Sequence, residues 1–167
     1  RLYPWGDGPP QASLARFGQT WSERGIDVLL PVDAKLERIE DVEDEAVPVK
    51  RLFDRLADVK GIKIVILDAC RDNPIAARAL KKRGAVSFGL AQAANVDSGT
   101  LIALAADPGK PAYDGQGPHS PYAEALLKHI KEPRLDVRIM FGRVNDTLLE
   151  TMPGKQESWI QVKLSGQ

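Results

Sequence analysis

The chain holds one cysteine, Cys70, and a carboxylate two residues before it, Asp68. Cysteine attacks carbonyl carbon as the thiolate, but a free thiol with a pKa near ~8.5 is mostly protonated at neutral pH, so such chemistry needs a base. The two histidines, His119 and His129, both lie downstream. His119 sits in the turn-rich run Asp114-Gly115-Gln116-Gly117-Pro118-His119-Ser120-Pro121, and His129 stands near the end of the helix expected after it. A cysteine is also among the most often buried residue types, and residue type alone leaves a structural role open. A single cysteine forms no internal disulfide and no cysteine cluster for a metal, and it suits a reducing compartment, with the cytoplasm as the expected location.

The element that must position these groups is the run Ile62-Lys63-Ile64-Val65-Ile66-Leu67. It is too short and too β-branched for a helix, and it reads as a central parallel strand covered on both faces. Alternation places Asp68 and Cys70 on one side of it, so a carboxylate and a thiol can share a pocket. In open α/β sheets ligands bind beyond the carboxyl ends of the strands, which is where both residues fall. A strand is expected around Ile26 to Leu30, and a helix from Pro48 with Val49, Leu52, Phe53 and Leu56 as its apolar stripe and Gly61 beyond its end. Thr100 to Ala106 reads as the next buried strand. Ser120 and Pro121 are an N-cap and a first-turn proline for a helix to about Lys131. Val137, Phe141, Val144 and Leu148 form one face of a further helix over about Leu135 to Thr151, and Trp159 to Leu164 is a last short strand. This alternation implies an α/β sandwich with a largely parallel sheet.

Composition bounds the function. A chain of 167 residues with 43% hydrophobic content can build one core, and no apolar run nears the ~20 residues of a membrane span. Basic and acidic residues balance at 23 each, so net charge makes no case for nucleic acid or membrane as a partner. Two clusters stand out locally. Glu37, Glu40, Asp41, Glu43, Asp44 and Glu45 read as a solvated acidic loop, without the spacing of a calcium-binding EF-hand. Arg78, Lys81, Lys82 and Arg83 fall in the long connection after the cysteine.

Asp68-Ala69-Cys70-Arg71 resembles the nucleophile motif of the caspase clan, Gln-Ala-Cys followed by Arg, Gln or Gly. The longer stretch Leu67-Asp68-Ala69-Cys70-Arg71-Asp72-Asn73-Pro74 looks like the form in bacterial metacaspases and orthocaspases. Leu29-Leu30-Pro31-Val32-Asp33-Ala34, Gly99-Thr100-Leu101-Ile102-Ala103, and Ser120-Pro121-Tyr122 leading into Leu126-Leu127-Lys128-His129 follow in the family's order, over about residues 25 to 166. The resemblance implies a caspase-like three-layer α/β sandwich and a cysteine endopeptidase acting on protein or peptide substrates. It further implies Cys70 as nucleophile and Asp68 in a pocket that prefers Arg or Lys before the cleaved bond. Asp114 is a candidate second pocket carboxylate, with Asp107 weaker. It requires no cofactor and leaves calcium open. Relatives are commonly processed between the cysteine strand and the next, here the interval holding Lys81, Lys82 and Arg83.

The resemblance also implies a histidine about 50 residues before the cysteine in a Gly-His-Gly turn. That register lands on Gly18-Gln19-Thr20, and Gln19 cannot take up a proton at useful pH. The dyad is therefore expected to be incomplete, and a catalytically inactive binding or regulatory module is the second reading. Residues 1–18 resemble instead a short piece of the formylglycine-generating-enzyme, or sulfatase-modifying-factor, fold. The expected organisation is an N-terminal segment or linker over 1–24 and a caspase-like domain over 25–167. That domain is expected to lack its first elements, with other domains of a larger polypeptide as partners.

Overall fold

The computed structural model describes residues 17–23, 26–31, 41–68, 97–108 and 110–164. In chain order these form β1 (Phe17–Glu23), β2 (Ile26–Pro31), α1 (Asp41–Glu45), β3 (Val47–Pro48), α2 (Val49–Leu56), β4 (Lys63–Leu67), β5 (Thr100–Leu104), α3 (Pro121–His129), α4 (Val137–Thr151) and β6 (Trp159–Lys163). One sheet has the order β1-β2-β3 with antiparallel pairing throughout. The other has the order β4-β5-β6 and is mixed, β4 running parallel to β5 and β6 antiparallel to it.

The second sheet is the middle of a three-layer α/β sandwich. Its pleat sends Ile102 and Leu104 of β5 to one face, where Val65 and Leu67 of β4 join them under Val49, Leu52, Phe53 and Leu56 of α2. All four stripe residues of α2 are used, and Leu29 of β2 packs into the same cluster. Leu101 and Ala103 point to the other face, into a core with Tyr122 and Ala125 of α3 and Met140, Phe141, Val144 and Leu148 of α4. Helix α3 starts as its sequence requires, with Pro121 in the first turn and the Ser120 hydroxyl accepting from the Ala123 N–H at 2.9 Å. Asp136 caps α4 in the same way through the Arg138 N–H, at 2.8 Å, and the Arg138 guanidinium beside it holds the Asp136 carboxyl down at about 2. Pro48 precedes α2 rather than opening its first turn.

Two expectations change. The acidic run is not wholly loop, since Asp41–Glu45 forms a short exposed helix with its carboxylates in the first turn, where the helix dipole favours them. And β4 is not the covered central strand: among the described residues it pairs with β5 alone, and Ile64 and Ile66 are 47% and 37% exposed. The fully buried strand is β5. The cluster beneath α3 and α4 takes side chains from β5 and β6 but none from β4. An aliphatic run reads the same whether or not a helix covers its second face.

The base of the sheet is closed by two glycines. Gly99, at φ +82°, accepts from the Lys63 N–H at 2.7 Å and donates to the Lys163 carbonyl at 2.8 Å, tying β4 to β6 just before β5 begins. A Cβ on Gly99 would lie 2.8 Å from the Gly61 carbonyl oxygen, so only glycine fits.

Candidate active site

The carboxyl ends of β4 and β5 lie side by side, Leu67 opposite Leu104, and Asp68 is the first residue past the end of β4. Its Oδ2 accepts a hydrogen bond from the Ser120 hydroxyl, which links the strand end to the start of α3 across 52 residues. The same hydroxyl oxygen caps α3, so Ser120 donates to the site and accepts from the helix at once. Sequence reasoning identified the cap and missed the bond to Asp68, because a serine before a proline-led helix already has a sufficient local explanation.

Desolvation pushes the Asp68 carboxyl above the ordinary range, the Ser120 hydrogen bond opposes that shift, and the negative charge of Asp114 adds to it. Asp68 keeps an exposed face, and solvent there limits the shift. Asp114 is exposed, in the loop between β5 and α3. Gly115, at φ +73°, turns that loop so tightly onto the helix start that a Cβ would stand 3.1 Å from Pro121 Cδ. Tyr122, the second residue of α3, is 1% exposed. Burial first, and then the charge of Asp68, drives its phenol strongly upward, so the hydroxyl stays protonated, and among the described residues it has no hydrogen-bond partner. Two carboxylates thus lie close enough at the strand ends for their charges to interact, with a buried neutral hydroxyl near Asp68. Such a group favours a cation with several donors, a guanidinium or an ammonium, and repels anions. Asp107 is engaged elsewhere, accepting from Lys110 Nζ at 2.7 Å.

The remaining candidates separate. His119 is exposed, immediately before Ser120. His129 is buried between α3 and α4, with Nδ1 2.7 Å from Glu132 Oε1 and Nε2 2.9 Å from Thr147 Oγ1. Nine residues along α3 place it roughly 13 Å from Ser120 at about 1.5 Å per residue, and both ring nitrogens are occupied, so its role is to join two helices. Gln19 lies in β1 with its backbone opposite Leu30 of β2, just past an irregularity in the pairing at Gly18. Cys70 and the basic group Lys81, Lys82 and Arg83 lie outside the described residues. Among the described residues no three His, Cys, Asp or Glu side chains converge as a metal site, and no helix is long and apolar enough to cross a membrane.

A three-layer α/β domain with a carboxylate just beyond its parallel strand ends is the class that fold and site define. The family model of the caspase domain matches residues 24–167, and the chain belongs to that family. A caspase domain implies a cysteine-type peptidase with protein substrates. A comparison with curated proteins gives no match.

Proposed function

We propose that this domain is a cysteine endopeptidase of the metacaspase or orthocaspase kind, with a pocket for Arg or Lys before the cleaved bond, and that turnover in this chain is slow. The observation that carries the pocket is the Asp68 carboxyl at the end of the strand that leads to Cys70, bound by the Ser120 hydroxyl at the start of α3, with the charge of Asp114 acting on it. In the proposed reaction the Cys70 thiolate adds to the peptide carbonyl. The C–N bond breaks with proton transfer to the leaving amine, and water releases the thioester as a carboxylate. Slow turnover follows from Gln19 in the place of the base, since an amide cannot take the thiol proton. The same residue supports the second reading, a caspase-like domain retained for binding or regulation. The interval holding Lys81, Lys82 and Arg83 is proposed as a processing site, because its basic residues match the pocket. The segment over residues 1–18 is proposed as a remnant of a formylglycine-generating-enzyme-like domain.

Fluorogenic peptides ending in Arg, Lys or Asp, with Cys70→Ala as control, test this reading. The expected result is weak, Cys70-dependent cleavage after Arg or Lys and none after Asp. Asp68→Asn should weaken binding of an arginine-ending peptide roughly tenfold to a hundredfold, the range for a hydrogen bond to a charged group. Cleavage after Asp, or undiminished affinity in Asp68→Asn, would remove the acidic pocket from the mechanism.

A further inference from the structure

The loop from Ala105 to Ser120 carries Asp114, and a segment more than 40 residues downstream holds it. Gln156, 3% exposed, lies beneath the loop. Its Nε2 donates to the Ala105 carbonyl at 2.8 Å and its Oε1 accepts from the Tyr113 N–H at 3.1 Å. One side-chain amide therefore ties the start of the loop to its middle, and the two backbone partners fix which amide atom is oxygen. The next residue adds a third tie, the Glu157 carbonyl accepting from the Asp107 N–H at 2.9 Å. The segment is itself anchored to α4, where Asn145 Oδ1 accepts from both the N–H and the hydroxyl of Ser158, each at 2.9 Å. Tyr113 is the neighbour of Asp114 in the chain, so the Gln156 bond fixes the backbone from which that carboxylate projects.

We propose that Gln156 is a positioning residue of the acidic site: by bridging Ala105 and Tyr113 it holds Asp114 beside Asp68, while Asn145 holds the bridge to α4. The inference deepens the proposed reading of the pocket and rests on it for its role in substrate choice. A leucine or methionine at 156 fills the space but leaves the buried Ala105 carbonyl and the part-buried Tyr113 N–H without this partner, so the loop must shift to rehydrate them. A merely structural glutamine would lower stability on replacement and leave the site unchanged.

The discriminating measurement is the titration midpoint of the Asp68 carboxyl, followed by ¹³C NMR in the full chain. Asp114 is the charged group acting on Asp68 among the described residues, Asp68 in turn acts on the buried Tyr122 phenol, and the hydrogen-bond donor to Asp68 is Ser120. Asp114→Asn should lower the midpoint by removing a like charge. Gln156→Met should lower it too, and the double variant should go no lower than Asp114→Asn alone. A folded Gln156→Met with the wild-type midpoint overturns the proposal, as does an Asp68 midpoint that ignores Asp114→Asn. Should Gln156→Met not fold, Asn145→Ala loosens the same segment from α4: a smaller drop in the same direction is expected, and no change overturns the proposal. Binding of N-acetyl-arginine amide, read on the same samples, keeps the two levels apart. Wild-type protein that ignores this probe refutes the basic-residue pocket, while the titration still decides the role of Gln156.

Discussion

Replacing Ser120 by alanine removes two interactions with one atom. The first is the cap of α3, which loses the acceptor for the Ala123 N–H; N-cap serine to alanine costs about 1 kcal/mol. The second is the donor to Asp68. Asp68 is exposed, so water replaces part of that bond, and the loss stays at the low end of the range for a net hydrogen bond, about 0.5 kcal/mol. Together the destabilisation is about 1.5 kcal/mol, or a fall in melting temperature of roughly 3–6 °C for a domain of this size. Ser120→Gly separates the parts, because glycine is worse than serine as an N-cap by only a few tenths of a kcal/mol while the donor is lost in full. The Asp68 midpoint should rise in both variants, since Ser120 is what lowers it. Urea unfolding with ¹³C titration of Asp68 measures both quantities. A Ser120→Ala protein within about 0.3 kcal/mol of wild type, or an Asp68 midpoint that falls, would refute the linkage between helix cap and pocket.

Asp68→Asn tests the sign of the site's electrostatics. A carboxyl whose folded pKa lies above its unfolded value stabilises the fold below that unfolded value, about 3.9, and loses the contribution as pH rises through the folded value. Asp68→Asn should therefore gain stability relative to wild type on going from acid to neutral pH, and equilibrium unfolding with a flat or opposite trend would contradict this. Gly99→Ala should destabilise by about 1–3 kcal/mol, the range for a non-glycine residue held at positive φ, since its Cβ would also meet the Gly61 carbonyl; thermal unfolding checks it. Gln19→His should raise the rate of Cys70 alkylation near neutral pH by up to about thirtyfold, the gain from fully ionising a thiol of pKa ~8.5 that is only about 3% thiolate at pH 7. An unchanged rate would show that position 19 does not reach the thiol.

What could be read in advance was set by local chemistry. The stripe on α2, the serine and proline that start α3 and the heptad-like face of α4 are signals contained within one or two turns, and each reappears as core or cap. Pairing direction is not such a signal. Trp159–Lys163 carries the composition of a strand, but its antiparallel run beside β5 follows from where α4 ends, at Thr151, and from the turn at Gly154, φ +69°. The bare face of β4 was hidden for a related reason: Ile64 and Ile66 have the same side chains as Val65, and only the positions of α3 and α4 over β5 and β6 distinguish them.

The site divides along the same line. The place of Asp68 at a strand end was legible from the aliphatic run before it, and its proposed role came from the resemblance. Asp114 was legible only through the resemblance, for its surroundings in sequence are an ordinary turn. Gln156 gave no sign, because a glutamine between Lys155 and Glu157 looks solvated until its amide is found between two backbone groups 51 and 43 residues away. Long-range polar bridges of this kind are invisible to periodicity, yet this one fixes its loop, since the buried Ala105 carbonyl that it satisfies has no water to fall back on. The acidic corner is therefore assembled from three distances in sequence: Asp68 by its strand, Ser120 by its helix cap, and Asp114 by a glutamine near the end of the chain. An acidic corner built this way tolerates change between its anchors better than change at them: substitutions at the exposed Gln116 and His119 should leave the Asp68 titration midpoint where it is, whereas substitutions at Ser120 or Gln156 should move it, as ¹³C NMR will read.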